Sequence, residues 1–283
     1  MIIITGATGR VGNKLIEALL KAGEPVRVLT RNPQKAANLQ ASGASVTLGD
    51  FTQLSTLNAA LSGCNRLMDI PPNTLNQAEQ EIQLFEAAKS AGIQHIVKLS
   101  TVKANPESNC HFFKQHAIAE EYLKQSGMRF TILQSNSFMQ NFLWFTPEIR
   151  TQGTLSLPMK GAKTAPVDIR DVVRVAHMVL TRTDGEGNTH NITGLEMLPL
   201  KGIAEQLSAA ANKKITYINV SLCDFKRTLL QAGLHEWYAA AIVASWQVAS
   251  EGHPTITNIV AEITGRRPIA FEQFVQDYER SFK

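Results

Sequence analysis

The chain has 283 residues, enough for one large core or for a core with a smaller partner. Hydrophobic residues make up 44% and charged residues 18%, which excludes a disordered chain. The net charge is +4, and the densest basic spots, Lys213-Lys214 and Arg266-Arg267, are too small for a nucleic-acid footprint.

In chain order, the first half alternates short apolar runs with amphipathic stretches. Strands are expected at Ile2–Thr5, Val26–Thr30, Ser45–Leu48, Arg66–Ile70, Ile96–Ser100 and Phe130–Gln134. Helices are expected after Gly12, then at Pro33–Ala41, Leu54–Leu61, Leu75–Ala91 and His111–Gln125, with Gly23, Gly63, Gly92 and Gly127 marking ends. Strands alternating with helices of this length imply an α/β fold, a Rossmann-type doubly wound parallel sheet. Past residue 135 the rhythm changes. Asp171–Leu180 reads as a helix returning to the sheet and His190–Thr193 as one more strand. The remainder is helix-rich, with one strand at Ile215–Val220. The expected division is a Rossmann domain over 1–150, with 165–194 returning to it, and a smaller helix-rich C-terminal domain over 195–283 that roofs the strand ends.

Cys64, Cys110 and Cys223 show no C-x-x-C spacing, so no disulfide framework or metal ribbon is expected, and a reducing compartment fits. Met1-Ile2-Ile3-Ile4 carries no leader signature. An apolar stretch such as Ala239–Ala244 is far short of a membrane span. A cytoplasmic location is expected, with neither membrane nor nucleic acid as partner.

The segment Gly6-Ala7-Thr8-Gly9-Arg10-Val11-Gly12 follows a strand and opens a helix. The first glycine permits the tight turn, the second lets backbone approach a pyrophosphate, and the third lets helix and strand pack closely. The helix N-terminus then presents free N–H groups and a positive dipole end. A dinucleotide is the expected ligand. NAD sites place Asp or Glu at the end of the second strand. Here Arg31 stands there, in Leu29-Thr30-Arg31-Asn32, so a 2′-phosphate and hence NADP(H) is expected. The alternative for Arg31 is a solvated strand-end charge. Arg10 and Lys35 would add positive charge. Asp50 and Phe51 follow the third strand, where the adenine would lie, although Asp50 equally suits a helix N-cap.

The motifs Gly6-Ala7-Thr8-Gly9-x-x-Gly12, Leu29-Thr30-Arg31, Gly49-Asp50, Val97-Lys98-Leu99-Ser100 and His116-x-x-x-Glu120 form an ordered set. Ser126-Gly127, Thr131-Ile132-Leu133, Phe138-Met139-x-Asn141, Val167-Asp168-Ile169-Arg170-Asp171-Val172, Asn191-Ile192-Thr193-Gly194 and Thr264-Gly265-Arg266-Arg267-Pro268 extend it. Together they resemble the NmrA-like branch of the atypical short-chain dehydrogenases/reductases over almost the whole chain. The resemblance implies NADP(H) and a substrate cleft between the domains. It also implies that Pro71, Ser100 and the segment Gln134-Ser135-Asn136-Ser137-Phe138 surround the nicotinamide, and Ile70 is counted with the cofactor-binding residues. Many relatives carry Arg-Pro-Gly where this chain has Gln134-Ser135-Asn136, a change of pocket polarity.

The Tyr-x-x-x-Lys pair of standard short-chain dehydrogenases is absent. Ser126, Ser221, Ile242 and Phe282 lie four residues after the four tyrosines. A standard carbonyl dehydrogenase is therefore disfavoured. His116 is the candidate catalytic residue. Glu120, four residues on, shares its helix face and is expected to orient the ring. Two roles stay open for His116, holding the cofactor or donating a proton, beside that of a helix-packing residue. His111 and His116 are too far apart around a helix to form a metal pair, and no metal is expected. Phe138, Phe142, Trp144 and Phe145 suit either an aromatic pocket or packing. Trp237 and Trp246 read as second-domain core. The expected activity is NADPH-dependent hydride transfer to a quinone or similar electron-poor aromatic, which needs stacking and water exclusion more than protein chemistry. The alternative is an NADP(H)-binding redox sensor that regulates a partner protein. Monomer or homodimer is expected.

Overall fold

The expected strands of the first half all form, and the runs beginning at Ile2 and His95 are buried on both faces, as central sheet positions require. The computed structural model describes residues 1–51, 53–182, 187–252 and 255–283. The strands are β1 (Ile2–Ile4), β2 (Val26–Thr30), β3 (Ser45–Leu48), β4 (Arg66–Asp69), β5 (His95–Thr101) and β6 (Phe130–Ser135). Between them lie α1 (Arg10–Lys21), α2 (Ala37–Ala41), α3 (Leu54–Leu61), α4 (Gln77–Ser90) and α5 (His111–Gln125). Later come α6 (Thr146–Gln152), β7 (Thr154–Leu157), β8 (Lys163–Thr164), α7 (Ile169–Thr181), β9 (Asn188–Ile192) and β10 (Leu198–Pro199). The chain ends with α8 (Leu200–Ala211), β11 (Thr216–Asn219), α9 (Leu222–Gln231), α10 (Glu236–Glu251), α11 (Ile259–Thr264), α12 (Phe271–Asp277) and α13 (Glu279–Phe282).

One parallel seven-stranded sheet runs β3-β2-β1-β4-β5-β6-β9. The order reverses between β1 and β4, so the connections after these two strands leave in opposite directions and open a crevice at their C-terminal ends. Helix α1 turns Val11, Leu15, Ile16 and Leu19 inward and packs with α7 on one face. Helices α3, α4 and α5 cover the other, around Leu57, Leu84, Phe85 and Leu123. The doubly wound expectation is met.

A second core gathers Leu155, Ile203, Leu207, Phe271, Phe274 and Phe282. Its expected strand, now β11, pairs in parallel with β7, and β8 pairs antiparallel with β10. The sequence reading had no strand at β7, β8 or β10. These segments of two to four residues are too short for a period-2 pattern to register. The two cores interleave along the chain. Met139 and Phe142 already belong to the second, whereas Val260 of α11 packs into the first. The motif at 167–172 stitches them together. Asp168 caps α7 and pairs with Arg170, which reaches Asp277, while Asp171 accepts from the Ile269 amide at 2.7 Å.

Candidate functional site

At the end of β1 the Thr5 hydroxyl donates to Asp69 Oδ1 (3.1 Å) and accepts from the Ile70 amide (2.8 Å). This ties β1 to β4 where their loops diverge. Gly6 has φ +59°, and a Cβ there would lie 2.4 Å from the Ile70 carbonyl oxygen. A Cβ at Gly12 would lie 2.4 Å from the Gly6 carbonyl oxygen. Both positions therefore need glycine for the backbone to close. Gly9 occupies the N-cap position of α1 without a side-chain cap, and no acidic residue lies in the first turn. The leading N–H groups are thus uncapped by side chains, a cradle that fits a dinucleotide pyrophosphate. Thr8 is exposed on the same turn. Arg10 Nη1 donates to the Gln140 carbonyl at 2.9 Å, so this side chain spans both halves of the chain as well as flanking the loop.

The parallel register sets Ile4 beside Val28 and Thr30 beside Leu48. Arg31, Asp50 and Phe51 therefore follow the C-terminal ends of neighbouring strands, on the same edge as the glycine loop. Arg31 is exposed, Asp50 is half-buried, and Phe51 packs against the second-face core. The N-cap position of α3 is held by Gln53, not Asp50.

A cavity of about 1490 Å³ opens between the two cores. Gly9, Arg10 and Val11 line one end, and Ile70, Pro71, Ser100, His116, Asn136 and Phe138 line the middle. Phe112, Trp144, Phe145 and Trp246 also form its wall. Trp246 packs against the second core, edge-on to Phe225, as expected, and on its other side it also lines the cavity together with Ile242 one turn before it. Phe142 departs in the other direction. It is buried edge-on against Phe271, with ring centroids 5.4 Å apart.

Two expectations about polar partners are overturned. Glu120 does not orient His116. Its buried carboxylate accepts from the Ser100 hydroxyl (2.5 Å) and from Gln134 Nε2 (2.9 Å). Gln134 does not line the cavity for the same reason: its amide is turned back to Glu120, and the lining is left to Ser135, Asn136 and Phe138. His116 instead meets a network that the sequence reading missed. Lys98, fully buried in β5, pairs with Glu81 of α4. Lys98 Nζ lies 3.4 Å from His116 Nδ1, and Gln77 Nε2 lies 3.3 Å from that atom while donating to Glu81 Oε2 at 3.0 Å. An ammonium only donates, so Nδ1 accepts and the ring proton sits on Nε2. Lys98 was visible as a lone charge inside an apolar strand. Its partner on α4 was not.

Burial, and then the Lys98 charge, hold the His116 imidazole well below its ordinary value. Burial pushes the Glu81 carboxyl well above the usual range; Lys98 opposes this and the Asp69 carboxylate adds to it. The unfolded chain therefore binds a proton at His116 that the folded chain refuses. As pH falls below about 6.5, this residue costs stability, by up to about 1.4 kcal/mol per pH unit. Glu81 acts with the opposite sign below its own raised value, so the comparison that isolates His116 is wild type against His116→Gln. Denaturant unfolding at a series of pH values should show the glutamine variant losing less stability on acidification. Equal slopes in the two proteins would mean that the folded ring is protonated.

The model of the NmrA-like family matches residues 1–262. Over 283 residues the chain is 30% identical to an NAD(P)H azoreductase of Xenophilus azovorans, covering 100% of this chain and 99% of that one. It is 31% identical over 255 residues to quinone oxidoreductase 2 of Escherichia coli, covering 89% of each. The crystal structure of an NADPH-dependent quinone oxidoreductase from Escherichia coli, complexed with NADPH, superimposes with a TM-score of 0.91 at 28% identity, over 98% of this chain and 99% of that one. By the extent of these matches, the chain belongs to the NmrA-like family.

Proposed function

We propose that this chain is an NADPH-dependent reductase whose acceptor is a quinone or a similarly electron-poor aromatic. It is an NAD(P)H-dependent oxidoreductase, as its family and its relatives' activities support. The observation that carries the acceptor reading is the continuous cavity, which runs from the N-terminus of α1 to an aromatic wall at Phe112, Phe138 and Trp144. Gly6, Thr8, Gly9, Val11 and Gly12 would hold the pyrophosphate, Arg31 and Arg10 the phosphate charge, and Asp50 and Phe51 the adenosine end. When bound, the cofactor supplies a hydride to the acceptor, and one proton completes the hydroquinone. The protein's contribution is to stack a flat ring, exclude water and line the site with Ser100, Asn136 and His116. With its pKa held well below the ordinary value by burial and the Lys98 charge, His116 acts by positioning and not as an imidazolium acid.

NADPH oxidation followed across benzoquinones, azo dyes and aldehydes tests the reading. Saturable quinone turnover on the order of 1 s⁻¹ or above is expected, without a kinetic limb near the ordinary imidazole pKa. Background rates with every acceptor would instead favour the regulator that responds to the NADPH/NADP⁺ ratio. Cofactor choice has its own measurement. Arg31→Ala should weaken NADPH binding roughly tenfold or more, the size of one charge-assisted bond, and barely alter NADH. Equal losses for both cofactors would remove Arg31 from the 2′-phosphate.

A further inference from the structure

The cavity is larger than its expected contents need. Drug-sized ligands occupy roughly 300–1,000 Å³, whereas this cavity measures about 1490 Å³. Its lining does not include Arg31, Asp50 or Phe51, so under the function proposed above the adenosine end of the dinucleotide would lie outside it. The two ends differ in chemistry. Near the sheet the wall offers Ser100, His116 and Asn136. Beyond Phe112 and Tyr238 the wall passes to α9 and α10, where Phe225, Leu229, Ile242, Trp246 and Ala249 face the space. The polar side chains at that end are turned to backbone carbonyls. Thr228 donates to Asp224 O (3.1 Å), Ser245 to Ile242 O (2.7 Å) and Lys103 Nζ to Val248 O (3.0 Å). The Asp224 carboxylate is exposed at the margin and bonded to Ser221 and Arg227, and Lys103 faces Glu251 as well as the Val248 carbonyl.

We propose that the acceptor is amphiphilic, a quinone-type head carrying an apolar tail that lies between α9 and α10 against Leu229, Ile242, Trp246 and Ala249. The proposal rests on the quinone reading for its head and on the continuity of the cavity for its tail. Each buried methylene strengthens binding by up to about fourfold, so even a partly buried chain has a large effect.

The test compares methyl-benzoquinone with the same ring carrying a decyl chain, by calorimetric titration of the full chain saturated with NADP⁺. Binding at least a hundredfold tighter for the decyl form is expected. Ala249→Trp, which fills the apolar end, and Leu229→Asp, which makes it polar, should each narrow that gap to below tenfold. Equal affinities in wild type overturn the proposal, as does a gap that survives both substitutions, which would place the tail elsewhere or on the surface. NADPH oxidation is followed in parallel. A binding gap that closes in both variants, without turnover of either quinone, supports the tail site and removes the quinone reading. Turnover of both quinones without a binding gap does the reverse.

Discussion

Gly12→Ala should weaken NADPH binding by a hundredfold or more and destabilise the cofactor-free protein by about 1–3 kcal/mol, the range for overpacking. The new Cβ would sit 2.4 Å from the Gly6 carbonyl oxygen and 2.8 Å from the Ala7 Cα. Both neighbours are backbone, so α1 must back away from β1. The N–H groups at the helix start then leave the position where they would meet the pyrophosphate. Losing two charge-assisted bonds of about 1.5–3 kcal/mol each gives the affinity estimate. Gly9→Ala is the informative companion. Its Cβ would approach the Gly6 oxygen only to 3.1 Å. That variant should fold with near wild-type stability and still lose NADPH, because the added methyl stands where the pyrophosphate would approach. Fluorescence titration with NADPH, beside thermal unfolding of the cofactor-free proteins, separates the two effects. Wild-type affinity in Gly12→Ala would mean that the dinucleotide does not lie over this loop.

Lys98→Met should cost about 3–5 kcal/mol, the usual penalty for leaving a buried charge without its partner. Lys98 is wholly buried and Glu81 nearly so. Without the ammonium, Glu81 faces the Asp69 carboxylate with Gln77 as its one side-chain donor among the described residues. The single change Glu81→Leu should cost a similar amount for the opposite reason. Both changes together should recover most of the loss, since apolar residues of similar volume replace buried ion pairs at little cost. Recovered stability should not restore the site. The ammonium that keeps His116 Nδ1 an acceptor is gone, so single-turnover hydride transfer should stay slower than in wild type. Denaturant unfolding of the four proteins completes the cycle. Additive losses in the double variant would show that the two residues act independently. Wild-type hydride transfer in the stable double variant would make the pair structural only.

Sequence alone determined the layered α/β architecture, because strand and helix periodicity and the glycines that end helices are local properties. His111–Gln125 and Ser45–Leu48 were read at their observed bounds. The glycine loop was legible for the same reason: its demand is steric and falls within seven consecutive residues. The place of Arg31, just past β2 on the edge that carries the glycine loop, was legible because strand order brings the ends of β1 and β2 side by side in any fold of this kind. The polar partners were decided by tertiary structure. On a helix face, Glu120 is within reach of His116, and local geometry recommends that pair. The packing of α5 on the sheet turns Glu120 instead to Ser100, 20 residues away, and Gln134, 14 away. It sets His116 against Gln77, 39 residues away on α4, and Lys98 of β5. A buried charge must find its partner wherever the folded chain supplies one. The sequence shows that Lys98 needs one and cannot show that α4 brings Glu81 to it. The cavity wall follows the same rule. Whether an aromatic residue fills a core, as Phe142 does, or lines a space, as Trp246 does, depends on how two interleaved cores meet, and no local pattern encodes that meeting.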